Sequence, residues 1–315
     1  MDRTERQKVG INRWLKAGGK ATCEFPTGFG FIMKNIEKIK EYYISGTSLT
    51  QIAKTIGVSR WLITKSLKSI GVKIVNKHNL LKFNECYFDS IDSEEKAYWL
   101  GFIYADGCIL KNCKSFELGL SIKDKSHVEL FANNISFTGK LYFKKNVNAI
   151  TCNLRSKHFW ETLNNYGCVP NKSLILKFPN EYIFKDQSLI RHFIRGYFDG
   201  DGCITQHVNV KVVTPHVEIL GTKDFLNGII KYTKILAKFR HDKRHSSEVY
   251  SLDYSKENSI KLINYLYNNS IISLERKYNK YIFFKNGSRS VQEWTEWSEG
   301  KIGGSPKQDD PEVNN

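Results

Sequence analysis

Two aspartates, Asp106 and Asp201, stand 201 − 106 = 95 residues apart in closely matching surroundings. Trp99-Leu-Gly-Phe-Ile-Tyr-Ala-Asp-Gly-Cys-Ile109 and Ile194-Arg-Gly-Tyr-Phe-Asp-Gly-Asp-Gly-Cys-Ile204 share Gly, aromatic, Asp-Gly and Cys-Ile at equal offsets. A carboxylate ending a helix faces the negative pole of the macrodipole, at a cost of roughly 0.3 to 1 kcal/mol. Two such carboxylates brought together repel, which raises a pKa. A divalent cation removes both costs. Mg²⁺ (or Mn²⁺) takes one or two carboxylates and completes its shell with water and phosphate oxygens. Paired-metal sites clamp the attacking and leaving oxygens of an in-line displacement. Phosphodiester hydrolysis is therefore the chemistry expected of this pair, with Asp106 and Asp201 as metal ligands. No Ser/His/Asp or Cys/His arrangement is legible, and Gly19-Lys20 is followed by Ala21 where a phosphate loop needs Ser or Thr.

The elements that must bring the two carboxylates together can be read around them. Asp92 or Ser93 can cap a helix running through Ala105, on which Ala97, Gly101 and Ala105 fall at i, i+4 and i+8 as one smooth stripe. Gly196 and Gly200 make the same stripe in the second copy. Small side chains let two helix backbones approach closely, while Trp99, Leu100, Phe102, Ile103, Tyr197 and Phe198 turn into the core of each half. The repeat continues downstream. After the first motif come an alternating strand over 116–122, a helix over 128–135, a basic hairpin over 140–154, and Ser156-Lys157 opening a helix to Tyr166. The second copy repeats this as strand 217–220, helix 224–237, hairpin 238–254, and Ser255-Lys256 opening a helix to Tyr267. The order α-β-β-α-β-β-α is thus used twice.

With both copies in view, the chain from about Asp92 to Asn286 resembles the LAGLIDADG family of homing endonucleases, in its single-chain, two-motif form. The resemblance implies an α+β fold of two pseudo-twofold-related αββαββα units, whose antiparallel sheets form a DNA-binding saddle along the major groove. It implies a monomeric, site-specific double-strand DNA endonuclease, encoded within a mobile intron and using Mg²⁺ or Mn²⁺. Lys157 and Lys256, each just after a Ser at a strand-to-helix junction, resemble the family's basic active-site residues. Asp124, with Thr222 or Lys223 opposite, takes the water-positioning places. Tyr104 stands where the second copy has Asp199, a position that is not a metal ligand in the family. Candidate DNA contacts in the first half are Lys111, Lys114, Lys140, Lys144, Lys145 and Arg155. In the second half they are Gln206, His207, Asn209, Lys211, Lys238, Arg240, Lys243 and Arg244. Two alternatives stay open: a maturase acting on intron RNA, and a DNA-binding regulator that does not cut.

Ahead of the repeat, Ser48 to Leu67 holds two short helices around Gly57, with Ser48 and Ser59 as N-caps and Ile52, Ile56, Val58, Ile63 and Leu67 as shared core. This resembles a helix-turn-helix, which would present Arg60, Trp61, Thr64 and Lys65 to a major groove. The expected organisation is an irregular segment 1–34, a helix-turn-helix domain 35–78, a connector 79–91, halves 92–180 and 181–286, and a flexible tail 287–315. Across 315 residues, 48 Lys+Arg against 32 Asp+Glu leave a formal charge of +16. Such an excess attracts polyanions. Seven cysteines without a C-x-x-C pair point to free thiols in a reducing compartment, not to disulfides or a structural zinc site. No apolar run approaches the length of a membrane span, and the first 25 residues lack a signal-peptide core. An intracellular protein is expected, in a cytoplasm, an organelle or a phage-infected cell.

Overall fold

The computed structural model describes residues 28–74, 83–111, 114–241 and 249–301. They belong to two compact units, 1–80 and 81–315. The first is all-helical: α1 (Gly28–Lys34), α2 (Ile36–Ile44), α3 (Leu49–Ile56) and α4 (Arg60–Ser69). Helix α1 shortens the irregular segment expected through residue 34, because Ile32 is drawn into the unit's core with Ile39, Ile52, Ile56, Ile63 and Leu67. Ser48 and Ser59 cap α3 and α4 by accepting from the Gln51 and Leu62 amides. Gly57 turns the chain between them in a left-handed conformation, φ 78°.

The second unit runs α5 (Glu94–Asp106), β1 (Gly107–Leu110), β2 (Ser115–Ser121), α6 (Lys125–Asn134), β3 (Tyr142–Lys144), β4 (Ala149–Arg155), α7 (Lys157–Asn165). It then repeats the order as α8 (Leu189–Asp201), β5 (Gly202–Val208), β6 (Val212–Gly221), α9 (Lys223–Thr233), β7 (Lys238–His241), β8 (Tyr250–Ser255), α10 (Glu257–Tyr267). The fold is α+β with two αββαββα repeats. Each sheet is antiparallel, in the order β1-β2-β4-β3 and β5-β6-β8-β7. Equivalent registers, Gly107 opposite Leu118 and Gly202 opposite Ile219, start each sheet directly after its aspartate. Inward residues of β2 and β6 (Phe116, Leu118; Val217, Ile219) pack under the helices in one continuous core that spans both halves.

The segment expected as a flexible tail from residue 287 is instead folded as far as residue 301. After α11 (Glu275–Phe284), strand β9 (Arg289–Ser290) adds to β6, and α12 (Val291–Ser298) packs Trp294 and Trp297 against Phe283 and Phe284. Ser290 and Glu293 form a capping box that starts α12. The aromatic spacing supplies the apolar face that the polar composition conceals. The connector before α5 is likewise anchored, with Tyr87 and Phe88 buried.

Candidate metal centre

Ser93 caps α5, its hydroxyl accepting from the Lys96 amide. Helices α5 and α8 cross at their glycines with no side chain between them. A Cβ placed on Gly101 would lie 1.9 Å from the Phe193 carbonyl oxygen, and one on Gly196 would lie 1.9 Å from that of Tyr98. Further along, a Cβ on Gly200 would meet the Ala105 Cβ at 2.3 Å and Asp106 Oδ2 at 3.0 Å. The crossing therefore delivers both helix C-termini, and with them Asp106 and Asp201, to one place. Asp106 is half-buried and Asp201 exposed, so the pair is open to solvent from the Asp201 side.

Burial, and then the negative charge of Asp201, push Asp106 up to about 6 from an ordinary 3.8. Loss of water around its carboxylate raises Asp201 as well. Tyr197, one turn back on α8, donates to the Leu220 carbonyl at 2.9 Å and lies within hydrogen-bonding reach of Asp201. Two hard oxygen ligands that repel one another in a partly desolvated niche suit a divalent cation of the Mg²⁺ type.

The cations at this centre are not those expected. Lys157 is 72% exposed and pairs with Glu161 at 3.7 Å. Lys256 is exposed at the start of α10, in a left-handed backbone conformation (φ 51°), and Ser255 ends β8 without capping the helix. Neither contributes to the fields acting on Asp106 or Asp201. Lys172 and Lys277 do. Both are buried, and each neutralises the carbonyl end of one motif helix. Lys172 Nζ donates to the Ala105 and Gly107 carbonyls at 2.9 and 2.6 Å. Lys277 Nζ donates to those of Phe198 and Asp199 at 2.6 and 2.8 Å, and to that of Gly202. Both ammonium groups favour the charged form of Asp106 and of Asp201, so both lysines are felt at both carboxylates. Burial lowers Lys277 to about 8. Arg276, also felt at Asp106, reaches back to Asp124 at 3.3 Å and ties α11 to the first half. Thr222 is committed to capping α9, while Lys223 is exposed. Lys172 follows Lys157 by 172 − 157 = 15 residues and Lys277 follows Lys256 by 277 − 256 = 21, so no equal offset in the sequence marks these lysines.

Asp199 has a separate task. It is buried and accepts from Tyr98 Oη at 2.7 Å, Tyr267 Oη at 2.5 Å and the Leu274 amide at 2.7 Å. Its counterpart Tyr104 donates to the Tyr166 carbonyl. Nearby, buried Arg195 meets Glu94 at 2.6 Å across the helix pair. These groups fasten the seam between the two halves.

Of the residues expected to contact DNA, Lys111, Lys140, Lys144, Lys145, Arg155, Gln206, His207, Asn209, Lys211, Lys238 and Arg240 are exposed and Lys114 is half-buried. Lys243 and Arg244 lie outside the described residues. Strand register puts Arg155, Lys144, His207, Lys238 and Arg240 on the sheet faces away from the core. Two carry acidic partners there: Lys144 with Glu117 at 2.5 Å and Arg240 with Asp253 at 2.7 Å. Lys114 pairs with Glu161 at 3.0 Å. In the helical unit, Arg60, Trp61 and Lys65 are exposed on α4, with Lys65 Nζ 5.0 Å from the Trp61 ring centre; Thr64 Oγ1 donates to the Arg60 carbonyl.

The chain's structural neighbours are LAGLIDADG homing endonucleases. The I-LtrWI enzyme bound to target DNA is 15% identical, matches over 64% of this chain and 90% of its own, and has a TM-score of 0.41. I-SmaMI bound to uncleaveable DNA gives 13%, 59%, 87% and 0.44, and I-AabMI bound to uncleaved DNA gives 16%, 57%, 86% and 0.41. I-SmaMI has also been solved on uncleaved DNA with calcium ions. An uncharacterized protein of Methanocaldococcus jannaschii is 25% identical over 167 residues, 51% of this chain; the match spans 57% of that relative's length. No family model matches the chain.

Proposed function

We propose that this chain is a site-specific DNA endonuclease of the LAGLIDADG homing type, encoded within a mobile intron, that makes a double-strand break by metal-dependent phosphodiester hydrolysis. The observation carrying this reading is the meeting of Asp106 and Asp201 at the ends of two helices in direct backbone contact. Mg²⁺ or Mn²⁺ held by these carboxylates would polarise the scissile phosphate and lower the pKa of a bound water. Lys172 and Lys277 hold the helix ends in place and set positive charge beside the reacting phosphate, where it offsets developing negative charge. One chain supplies both carboxylates, so a monomer suffices. The sheet faces track the duplex through Arg155, Lys238 and neighbouring polar residues. Helix α4 adds contacts through Arg60, Trp61, Thr64 and Lys65, the way a recognition helix uses its first turns.

The test uses the uninterrupted allele of the host gene, cloned in a supercoiled plasmid. The chain is expected to linearise it in Mg²⁺, whereas Asp106→Asn and Asp201→Asn bind the same fragment and leave it uncut. Linearisation by either variant at the wild-type rate overturns the assignment.

A further inference from the structure

Cys86, Asp89 and His158 converge although 158 − 89 = 69 residues separate the last two. One ligand atom from each lies within 4.8 Å of the others, and all three residues are exposed. Cys86 and Asp89 begin and end one turn, closed by the Asp89 amide donating to the Cys86 carbonyl at 3.0 Å. His158 stands in the first turn of α7, its Nε2 2.6 Å from Asp89 Oδ1.

Several contacts that involve none of the three side chains hold this arrangement. The Cys86 amide donates to Asn84 Oδ1 at 3.1 Å. Ser156, the cap of α7, donates to Glu85 Oε2 at 2.5 Å. Tyr166 Oη donates to the Asp89 carbonyl at 3.3 Å. Phe88 and Phe159, each the neighbour of a candidate ligand, pack with ring centres 5.6 Å apart in the core. The turn is therefore fixed to α7 from both sides, and the three donors are aimed together by a rigid frame.

We propose that Cys86, Asp89 and His158 form a binding site for a zinc-class divalent ion. Thiolate, imidazole and carboxylate together select such an ion over Mg²⁺, which prefers oxygen alone. With Zn–S near 2.3 Å and Zn–N or Zn–O near 2.0 to 2.2 Å, tetrahedral donors sit about 3.4 to 3.6 Å apart. Closing onto an ion thus needs His158 and Asp89 to part by about 1 Å, within the reach of side-chain rotation. Water takes the fourth position. The bound ion clips the turn ahead of α5 to α7. Counted from the matching Ser156-Lys157 and Ser255-Lys256, the second repeat has Glu257 where the first has His158, and Glu257 pairs with Lys261 at 2.7 Å, so the site stands outside the duplicated machinery and does not depend on the nuclease reading.

The test is a Co²⁺ titration of chelator-treated, reduced full-length protein. One equivalent is expected to give a thiolate-to-cobalt charge-transfer band with tetrahedral visible bands, both abolished by one equivalent of Zn²⁺. Zn²⁺ in about hundredfold excess over its Kd should raise the melting midpoint by roughly 5 °C. Cys86→Ser removes the charge-transfer band and His158→Ala weakens binding at least tenfold, both with wild-type far-ultraviolet circular dichroism. Cys108→Ser, Cys203→Ser and Asp106→Asn keep the band. A band that survives Cys86→Ser, or no band at tenfold excess cobalt, overturns the proposal.

Discussion

Gly101→Ala tests the seam on which everything else rests. The added methyl would sit 1.9 Å from the Phe193 carbonyl oxygen, 2.8 Å from its carbon and 2.9 Å from the Tyr197 amide nitrogen. All three obstacles are backbone, so no rotamer change clears them. Restoring an ordinary carbon–oxygen separation of about 3.3 Å requires the helices to part by roughly 1.4 Å. Overpacking of this kind costs about 1 to 3 kcal/mol, and rigid neighbours place it at the upper end. Alanine's better helix propensity returns about 1 kcal/mol. The net loss is about 2 kcal/mol, a fall of roughly 4 to 8 °C in the calorimetric midpoint of the larger unit. Gly196→Ala meets the Tyr98 carbonyl in the same way and should fall as far. The double variant is the sharper measurement. Once the helices have parted for one methyl, the second meets less resistance, so the losses should be sub-additive by about 1 kcal/mol. Midpoints within 1 °C of wild type in both single variants would refute the backbone-contact reasoning.

Three further outcomes are expected. Asp106, raised to about 6, is protonated in the folded chain at pH values where the unfolded chain has lost its proton. Its contribution is full below the ordinary carboxylate value and is lost as pH rises through 6, by about 2 kcal/mol once partial solvent screening is allowed for. Metal-free protein should therefore become less stable on that climb in urea titrations, and either Asp106→Asn or saturating Mg²⁺ should flatten the slope. Lys277→Met leaves the Phe198, Asp199 and Gly202 carbonyls without their buried donor and should cost about 2 kcal/mol in denaturation, together with loss of plasmid cleavage. Lys256→Gly relieves the positive φ and should leave cleavage unchanged while raising stability by about 1 kcal/mol; a cleavage defect would return Lys256 to the active site.

The parts legible from sequence were those set by local pattern. Small residues spaced one turn apart encode a close helix crossing, Ser48, Ser59 and Ser93 encode their helix starts, and alternation encodes the strands. Duplication made the two aspartates stand out. The basic residues of the site were not legible in the same way, because a lysine's long side chain acts far from its own backbone position. Lys157 and Lys256 follow their hairpins at matching places, yet Lys157 pairs with Glu161 and Lys256 lies exposed. Lys172 comes from a short turn and Lys277 from the start of α11, both beyond the matched elements, and each is buried against the end of a motif helix from elsewhere in the chain. The Cys86 turn was missed for the same reason, since its third donor comes from a helix 69 residues away.

The seam also explains why the two halves differ where their sequences differ. Tyr104 and Asp199 occupy matching positions, but only Asp199 gathers donors from three other segments, Tyr98, Tyr267 and the Leu274 amide. The Leu274 bond fixes the entry to α11, and α11 carries Arg276 and Lys277 to the carboxylates. Among the described residues the first half shows no such helix and reaches the site with Lys172 from a single short turn. A buried carboxylate near Asp106 and Asp201 thus acts through architecture: it positions the element that supplies the charge. Asp199→Asn should weaken Lys277's hold on the helix end more than it disturbs Lys172's. The nicked strand made by that variant would then reveal which carboxylate serves which phosphate.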